Sequence, residues 1–487
     1  MAIETDSLPP PDGAPPPQTG APLTPEQLRR RRAIAILVPL VVVAVAGILR
    51  FYNLGHPSEI YFDETYYAND AHQYLQRGVE EDFAVHPPVG KWLIATGIAI
   101  FGFDSVGWRA AAAAAGTVAV LLTYFAGLRL FRHRGIAGLA ALLVAIDGLA
   151  FTMSRIAMLD IFAMTFVIAG FWLLLIDRDR QWAVADGANG AVPRIAHPYR
   201  WLAGIAFGLA LASKWSGIFA IGAAGLFILV SDMAWRRRIT GRLLARPVRL
   251  AATGLATLVI VPAAVYLFSY VGWFANLENT RKAERLCPAG ACDAPASDVI
   301  AAWWEEQGEI LQFHRNLEAT HDYRSAAWTW PIILRPVAYH YESCTQEKAA
   351  EGKCLVEEGN VEHIVGIGNP AIWWLALAAY PLLAWAALGR RDWRAAAILL
   401  FLLAQYVPWL LQQRPLFLFY MVPVVPFTAL ALAYVGLRTL RLRWTSWIPG
   451  FLATIAVASF LFWYPVLSGL EMSKGAWNAR MWLSGWV

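Results

Sequence analysis

The sequence predicts an all-α protein that crosses a membrane many times, and three observations carry that prediction. Of its 487 residues, 58% are hydrophobic and only 15% charged, with a mean hydropathy of +0.46, far from the mix of a soluble domain. Apolar runs of about 20 residues recur along the chain, the length that crosses a bilayer core as a helix. The basic residues sit in short clusters between those runs, where they read as orientation signals. The net charge of +5 does not point to nucleic acid, because no Lys/Arg run is interleaved with aromatics as a nucleic-acid groove requires.

Taken in order, residues 1–32 read as a disordered cytoplasmic tail. Residues 1–24 are dominated by Pro, Gly, Ala and Thr, which offer too little apolar surface to order themselves. Arg29 to Arg32 then introduce an uncleaved anchor at 34–52, since the run is long enough to span and lacks a small-residue cleavage pattern. Further spans are expected at 107–131, 135–152, 156–176, 200–214, 215–234, 249–270, 371–389, 394–412, 415–437 and 446–466, about eleven in all. The stretch Lys91 to Phe103 decides the topology. If it crossed, the later basic clusters would face away from Arg29 to Arg32; if it lies along the interface, all of them face the cytoplasm. It is therefore expected as an interfacial helix in a first external loop, 53–106. The chain then divides into an N-terminal module (33–270), an external loop (271–370), a four-span module (371–466) and an external tail (467–487).

This topology gathers the remaining polar motifs on one outer face. Asp63 and Glu64 lie just past the first span; a carboxylate there can take a proton from a hydroxyl, and burial beside aromatics can tune its pKa. The plainer reading is that Asp63 caps a helix beginning at Glu64. His86-Pro87-Pro88 forces an extended entry into the interfacial helix, and Lys91 one turn later can pair with a phosphate or snorkel to water. Arg109, Arg155, Asp160, Lys214 and Arg414 stand at the outer ends of spans, where ionisable groups are costly and tend to face a cavity. Four cations against few carboxylates point to a phosphate on the ligand, although Arg155 and Asp160 can also pair with each other. The loop from 271 should carry its own helices, and Val299 to Glu318 shows the apolar spacing of an amphipathic one. Its four cysteines, Cys287, Cys292, Cys344 and Cys354, lie outside, where disulfides form. Spacing allows three pairings, of which the local ones, Cys287 with Cys292 and Cys344 with Cys354, are favoured over a zinc site because no CxxC is present.

Phe62-Asp63-Glu64, His86-Pro87-Pro88-Val89-Gly90-Lys91, Arg155 to Asp160, Ala212 to Gly217, Trp330-Pro331 with Arg335-Pro336, Gly368-Asn369-Pro370 and Arg414 to Pro426 together resemble the protein O-mannosyltransferases, in the bacterial branch with a C-terminal four-span module. The resemblance runs from residue 34 to about 465. It implies the GT-C glycosyltransferase fold and transfer of mannose from polyprenyl-phosphate mannose to Ser or Thr hydroxyls of secreted polypeptides, with inversion. It places Asp63 and Glu64 as catalytic. Lys91, Arg109, Arg155, Asp160, Lys214, Trp215 and Arg414 become candidates for the lipid phosphate and sugar, and Tyr66, His86, His321, Trp330 and Asn369 for the acceptor side. The loop is too short for the beta-trefoil MIR domain of eukaryotic members and shows no strand periodicity. Many GT-C enzymes use a divalent cation, but no clear ligand set is visible, so no metal site is assigned. The expected setting is a bacterial plasma membrane with the site on its extracytoplasmic face, with lipid and the secretion translocon as the expected neighbours. An arabinose or aminoarabinose transferase acting on a lipid or cell-wall glycan shares the His86 block. A secondary transporter is the reading from another class, disfavoured because no two-half repeat is present.

Overall fold

The computed structural model describes residues 25–81, 85–185, 192–193, 195–318 and 321–487; the tail expected over 1–24 lies outside them. Helix α1 (Pro25–Phe51) already includes residues 25–32 and runs on through the anchor. The first loop holds α2 (Glu64–Arg77) and α3 (Val89–Phe101). Thirteen residues rising 1.5 Å each reach only about 20 Å, too short to cross, so α3 suits an interface position. Gly97 and Gly107 bring α3 onto α4 (Ser105–Phe131): a Cβ at Gly97 would stand 2.3 Å from the Gly107 carbonyl oxygen. Asp104 starts α4 by accepting the Gly107 N–H at 2.8 Å.

The span expected at 135–152 is broken. Helix α5 (Arg134–Ala145) stops at Ile146, and Asp147 caps a new helix, α6 (Gly148–Met153), by accepting the Ala150 N–H at 2.9 Å. The other oxygen of Asp147 accepts the Asn369 N–H at 3.3 Å and Trp373 Nε1 at 2.7 Å. An aspartate followed by a glycine thus ends one helix, starts the next and anchors a distant segment. Helices α7 (Asp160–Ala183), α8 (Pro198–Ser213), α9 (Gly217–Thr240), α10 (Pro247–Leu255) and α11 (Val261–Phe268) complete the first module, a π-helical turn at Ala256–Ile260 joining the last two.

The loop that follows carries α12 (Val271–Ala275), α13 (Ala283–Leu286) and the long amphipathic α14 (Ala296–Asn316). Cys287 is bonded to Cys292, and Cys344 to Cys354. Beyond α14, where no strand periodicity was legible, the chain forms β1 (Val337–Ser343), α15 (Gln346–Ala350) and β2 (Asn360–Gly366). A two-residue β3 (Met472–Ser473) from the C-terminal end completes an antiparallel sheet in the order β1-β2-β3. These strands escaped the sequence reading because β2 is buried on both faces, giving no polar alternation. Helices α16 (Pro370–Leu388), α17 (Trp393–Tyr406), α18 (Val425–Thr439) and α19 (Ile448–Ser468) form the last module, and α20 (Lys474–Asn478) follows.

Among the described residues, nine helices are long and apolar enough to cross a membrane. The expected count of eleven adds α5–α6 and the 16-residue α8, which fall short of that length. The protein is a mostly helical, multi-pass membrane protein. Its segments differ in burial: 94% of the crossing window of Leu418–Thr439 lies inside the bundle against 11% for Ala33–Phe51. The former is therefore a central post and α1 a peripheral helix with its apolar side chains turned outward.

Candidate active site

The turn before α2 sets the site. Phe62 has φ of +56°, a conformation rare for a bulky residue and kept only where packing enforces it. Its ring is caged by Tyr339 at 4.9 Å and by Phe419 and His321 at 6.0 Å. The register of β1 against β2 slips between Ala338 and His340, so the bulge re-aims Tyr339 at this turn, where its hydroxyl also donates to Met153 Sδ at 3.0 Å.

The consequence is that two adjacent carboxylates have unlike surroundings. Glu64 is fully buried: its oxygens accept Arg109 Nε at 2.8 Å and Nη2 at 2.9 Å, and Oε1 also accepts the Ala157 N–H at 3.0 Å. Asp63 is half-buried; its carbonyl starts α2 by accepting the Tyr66 and Tyr67 N–H groups, but its carboxylate makes no cap bond and no hydrogen bond or ion pair with the described residues. Burial pushes its pKa up to about 6, with Lys214 pulling down and Asp160 pushing up.

Of the cations expected to meet a phosphate, three are engaged elsewhere. Arg109 is fully buried; besides Glu64 it donates to the carbonyls of Leu54, Pro57 and Glu59 at 2.6–3.3 Å, so the first loop winds around it. Arg155 donates to the carbonyls of Leu49, Arg50, Tyr52 and Asn53 at 2.7–3.4 Å, closing the C-terminal end of α1, and does not pair with Asp160. Lys91 is fully buried between Asp70, at 3.0 Å, and Glu80, so it neither snorkels nor reaches a ligand. The remaining two share one aromatic ring. Lys214, at the end of α8, pairs with Asp160 at 2.7 Å and stands 4.6 Å over Tyr420; the Arg414 guanidinium lies 5.5 Å from the same ring. Arg414 is half-buried and has no hydrogen bond or ion pair with the described residues.

Behind this ring lies an imidazole cluster. His86 lies 5.9 Å from Tyr67 and 5.2 Å from His314, which in turn faces Trp215 at 5.8 Å. His314 bonds the Val85 carbonyl through Nε2 at 3.0 Å, while Nδ1 of each histidine is buried without a partner among the described residues. Burial, aided by Lys214 and Arg414, holds His86 well below the usual histidine range and His314 at about 4, so both rings are neutral. Trp215 itself is fixed by donating to the Tyr266 hydroxyl at 2.9 Å.

The other expected residues separate. His321 is exposed at the mouth, against Phe62 and Phe417, whereas Trp330 is fully buried against Tyr420 and donates to Ser325 Oγ at 2.9 Å, a supporting place. Tyr66 is on the exposed side of α2. Asn369 is buried, donating to the carbonyls of Ile146 and Ala456 and accepting from Ser459, and belongs to the Asp147 anchor. Sequence reasoning gave His314 no role and missed Tyr67, Tyr339 and Tyr420, whose approach to the site is set by tertiary packing and leaves no local signal. Among the described residues no three His, Cys, Asp or Glu side chains are grouped to hold a metal. The carboxylate beside Asp63, Asp160, is already neutralised by Lys214. These residues do not fit a resident cation.

Known proteins resemble the chain in sequence and in fold. A family described as dolichyl-phosphate-mannose-protein mannosyltransferase matches residues 40–108 and 103–275, and the C-terminal four-transmembrane region of protein O-mannosyltransferases matches residues 299–486. The polyprenol-phosphate-mannose–protein mannosyltransferase of Mycolicibacterium smegmatis strain MKD8 is 33% identical over 93% of both chains. In fold, the chain is similar to the Saccharomyces cerevisiae protein O-mannosyltransferase Pmt1–Pmt2 complex bound to the sugar donor (TM-score 0.76, 15% identity, 93% of this chain and 92% of that one). ArnT from Cupriavidus metallidurans is a more distant match (TM-score 0.54, 14% identity, 90% and 77% covered).

Proposed function

The chain belongs to the dolichyl-phosphate-mannose–protein mannosyltransferase family, and from that premise we propose that it transfers mannose from polyprenyl-phosphate mannose to Ser or Thr hydroxyls of polypeptides, with Asp63 as the base. The observation that carries the assignment is the contrast between Glu64, saturated by Arg109 and the Ala157 amide, and Asp63, which is unpaired with a pKa near 6. A base must be ionised near neutral pH and still attract a proton. Asp63 meets both conditions, and Glu64 serves instead to hold the turn.

In this mechanism the acceptor hydroxyl attacks C1 of the mannosyl group from the face opposite the lipid phosphate. Asp63 takes the hydroxyl proton as the O–C1 bond forms, and the C1–O bond to phosphate breaks. The leaving phosphate gains charge, which Arg414 and Lys214 stabilise without a proton donor. Neutral His86 beside them has one N–H with which to hydrogen-bond the phosphate without adding charge, while His314 spends its single N–H on the Val85 carbonyl and holds the ring pair in place. Glu64 and Arg109 are positioning residues.

The two disulfides fit an active site outside the cytoplasm, in a bacterial plasma membrane, with acceptors arriving as they leave the secretion channel. The test is transfer from polyprenyl-phosphate mannose in membranes, offering a Ser/Thr peptide beside a lipid or glycan acceptor and reading the anomeric configuration of the product. An α-mannosyl peptide made from a β-linked donor is expected. Label passing only to the glycan would replace the protein acceptor with the rival substrate class.

A further inference from the structure

Beside Arg414 the structure opens a cleft of about 580 Å³, within the size of small-ligand and short-peptide sites, roughly 300–1,000 Å³. One wall is formed by residues 317–318 and 324–328 and the other by the end of a span, 409–416; the Ser325 N–H donating to the Leu416 carbonyl at 2.8 Å ties them together. Glu318, Arg324, Ser325, Gln412, Gln413 and Arg414 give the cleft a polar lining. A polyprenyl tail would strand these groups without water or partners, at high cost, whereas an extended polypeptide brings its own donors and acceptors. The floor leads to the reacting groups: Trp409 stacks on Tyr420 at 4.6 Å, and Tyr420 carries Lys214 on its ring.

The charge in this cleft is unbalanced. Elsewhere in the same external segment most basic side chains are engaged: Lys282 with Glu305 and Glu309, Arg285 with Glu305, Lys348 with Glu342, and Arg335 with the Asp322 carbonyl. Arg324 and Arg414 make no such contact with the described residues, and Glu318 is the one carboxylate among the lining residues. The Arg324 backbone is held by its N–H to the His321 carbonyl at 3.0 Å, which fixes the root of the side chain at the rim.

We infer that this cleft holds the acceptor polypeptide and that Arg324 is a specificity residue favouring acidic side chains next to the hydroxyl that receives the sugar. The inference rests on the protein-acceptor reading above. The experiment compares kcat/KM for three peptides sharing one Ser/Thr core, flanked by Asp, by Gln or by Lys, with the wild-type protein, Arg324→Gln and Arg324→Glu, and measures the KM of the lipid donor alongside. The wild type should prefer the Asp-flanked over the Lys-flanked peptide by about 3–10-fold, the range of one or two solvent-exposed charge pairs, and less at high salt. Arg324→Gln should flatten the order and Arg324→Glu reverse it, with the donor KM unmoved. Identical peptide ratios in all three proteins would overturn the inference while leaving the transferase reading intact. A rise in donor KM with unmoved peptide ratios would assign the cleft to the lipid headgroup. Transfer to none of the peptides by the wild type would overturn the protein-acceptor reading and this inference with it.

Discussion

At the end of the bundle remote from Asp63, Arg200 donates to Asp177 and Asp232 at 2.8–2.9 Å, His197 meets Asp177 at 3.0 Å, and Gln181 donates to Asp232 at 2.9 Å. At the other end of the same helix α7, about 25 Å away at 1.5 Å per residue, Asp160 and Lys214 pair while Asp63 and Arg414 stand unpaired. Both ends hold charge inside a membrane protein, where it is costly unless satisfied. The remote network ties α7, α8 and α9 together with Arg200, Asp177 and Asp232 each held by a partner. The site end leaves a carboxylate and a guanidinium open, which costs stability in the free protein and is tolerable where a substrate supplies the missing partners. Unpaired charge, more than charge itself, sets the proposed reacting end apart.

The largest effect should come from removing the open carboxylate. Asp63→Asn keeps the shape and loses the base, so transfer should fall by about 10²–10⁴-fold, the usual contribution of a positioned acid or base, with donor binding and thermal unfolding in detergent unchanged. An unfolding shift as large as that of a core variant would erase the contrast between the two ends. Arg200→Met tests the opposite end. It strands Asp177 and Asp232, and breaking a buried pair costs about 3–5 kcal/mol. The unfolding temperature should drop sharply while turnover per folded molecule holds.

Glu64→Gln sharpens the contrast within one turn of chain. The amide fills the same space but cannot answer both Arg109 donors with negative charge, which should cost about 1.5–3 kcal/mol of stability. Turnover should fall by about 10–100-fold, because small misplacements of a reacting group are costly. A loss in both stability and turnover separates this positioning residue from Asp63, where turnover alone falls.

The sequence made one half of this contrast readable. The membrane-crossing helices follow from hydropathy, which acts locally. The acidic pair was visible too, because Asp63 and Glu64 interrupt an aromatic run just beyond a span. What stayed hidden was which charge is matched. Nothing near residue 109 announces that its guanidinium closes on Glu64, 45 positions away, and Lys91 reads as an interfacial cation until Asp70 and Glu80 are seen to surround it. The bulge that turns Tyr339 toward Phe62 and the break at Asp147 are likewise decided by segments far apart in the chain.

The smallest expected effect is a pH profile, and it asks whether the open carboxylate titrates alone. The proposed base, Asp63, can act only when ionised, and its pKa is raised to about 6, so kcat/KM should hold above pH 7 and fall about tenfold for each unit below pH 6. The groups that act on it are Lys214, which lowers the value, and Asp160, which raises it; these two are paired with each other. His86 and His314 stay neutral through this window, since burial keeps the first well below the usual range and the second at about 4. The profile should therefore follow one ionisation, and the residual activity of Asp63→Asn should be flat over the same range. A wild-type profile that fell with two protons per molecule would mean that a second group charges beside the leaving phosphate, and the site end would then hold more unmatched charge than Asp63 and Arg414 alone.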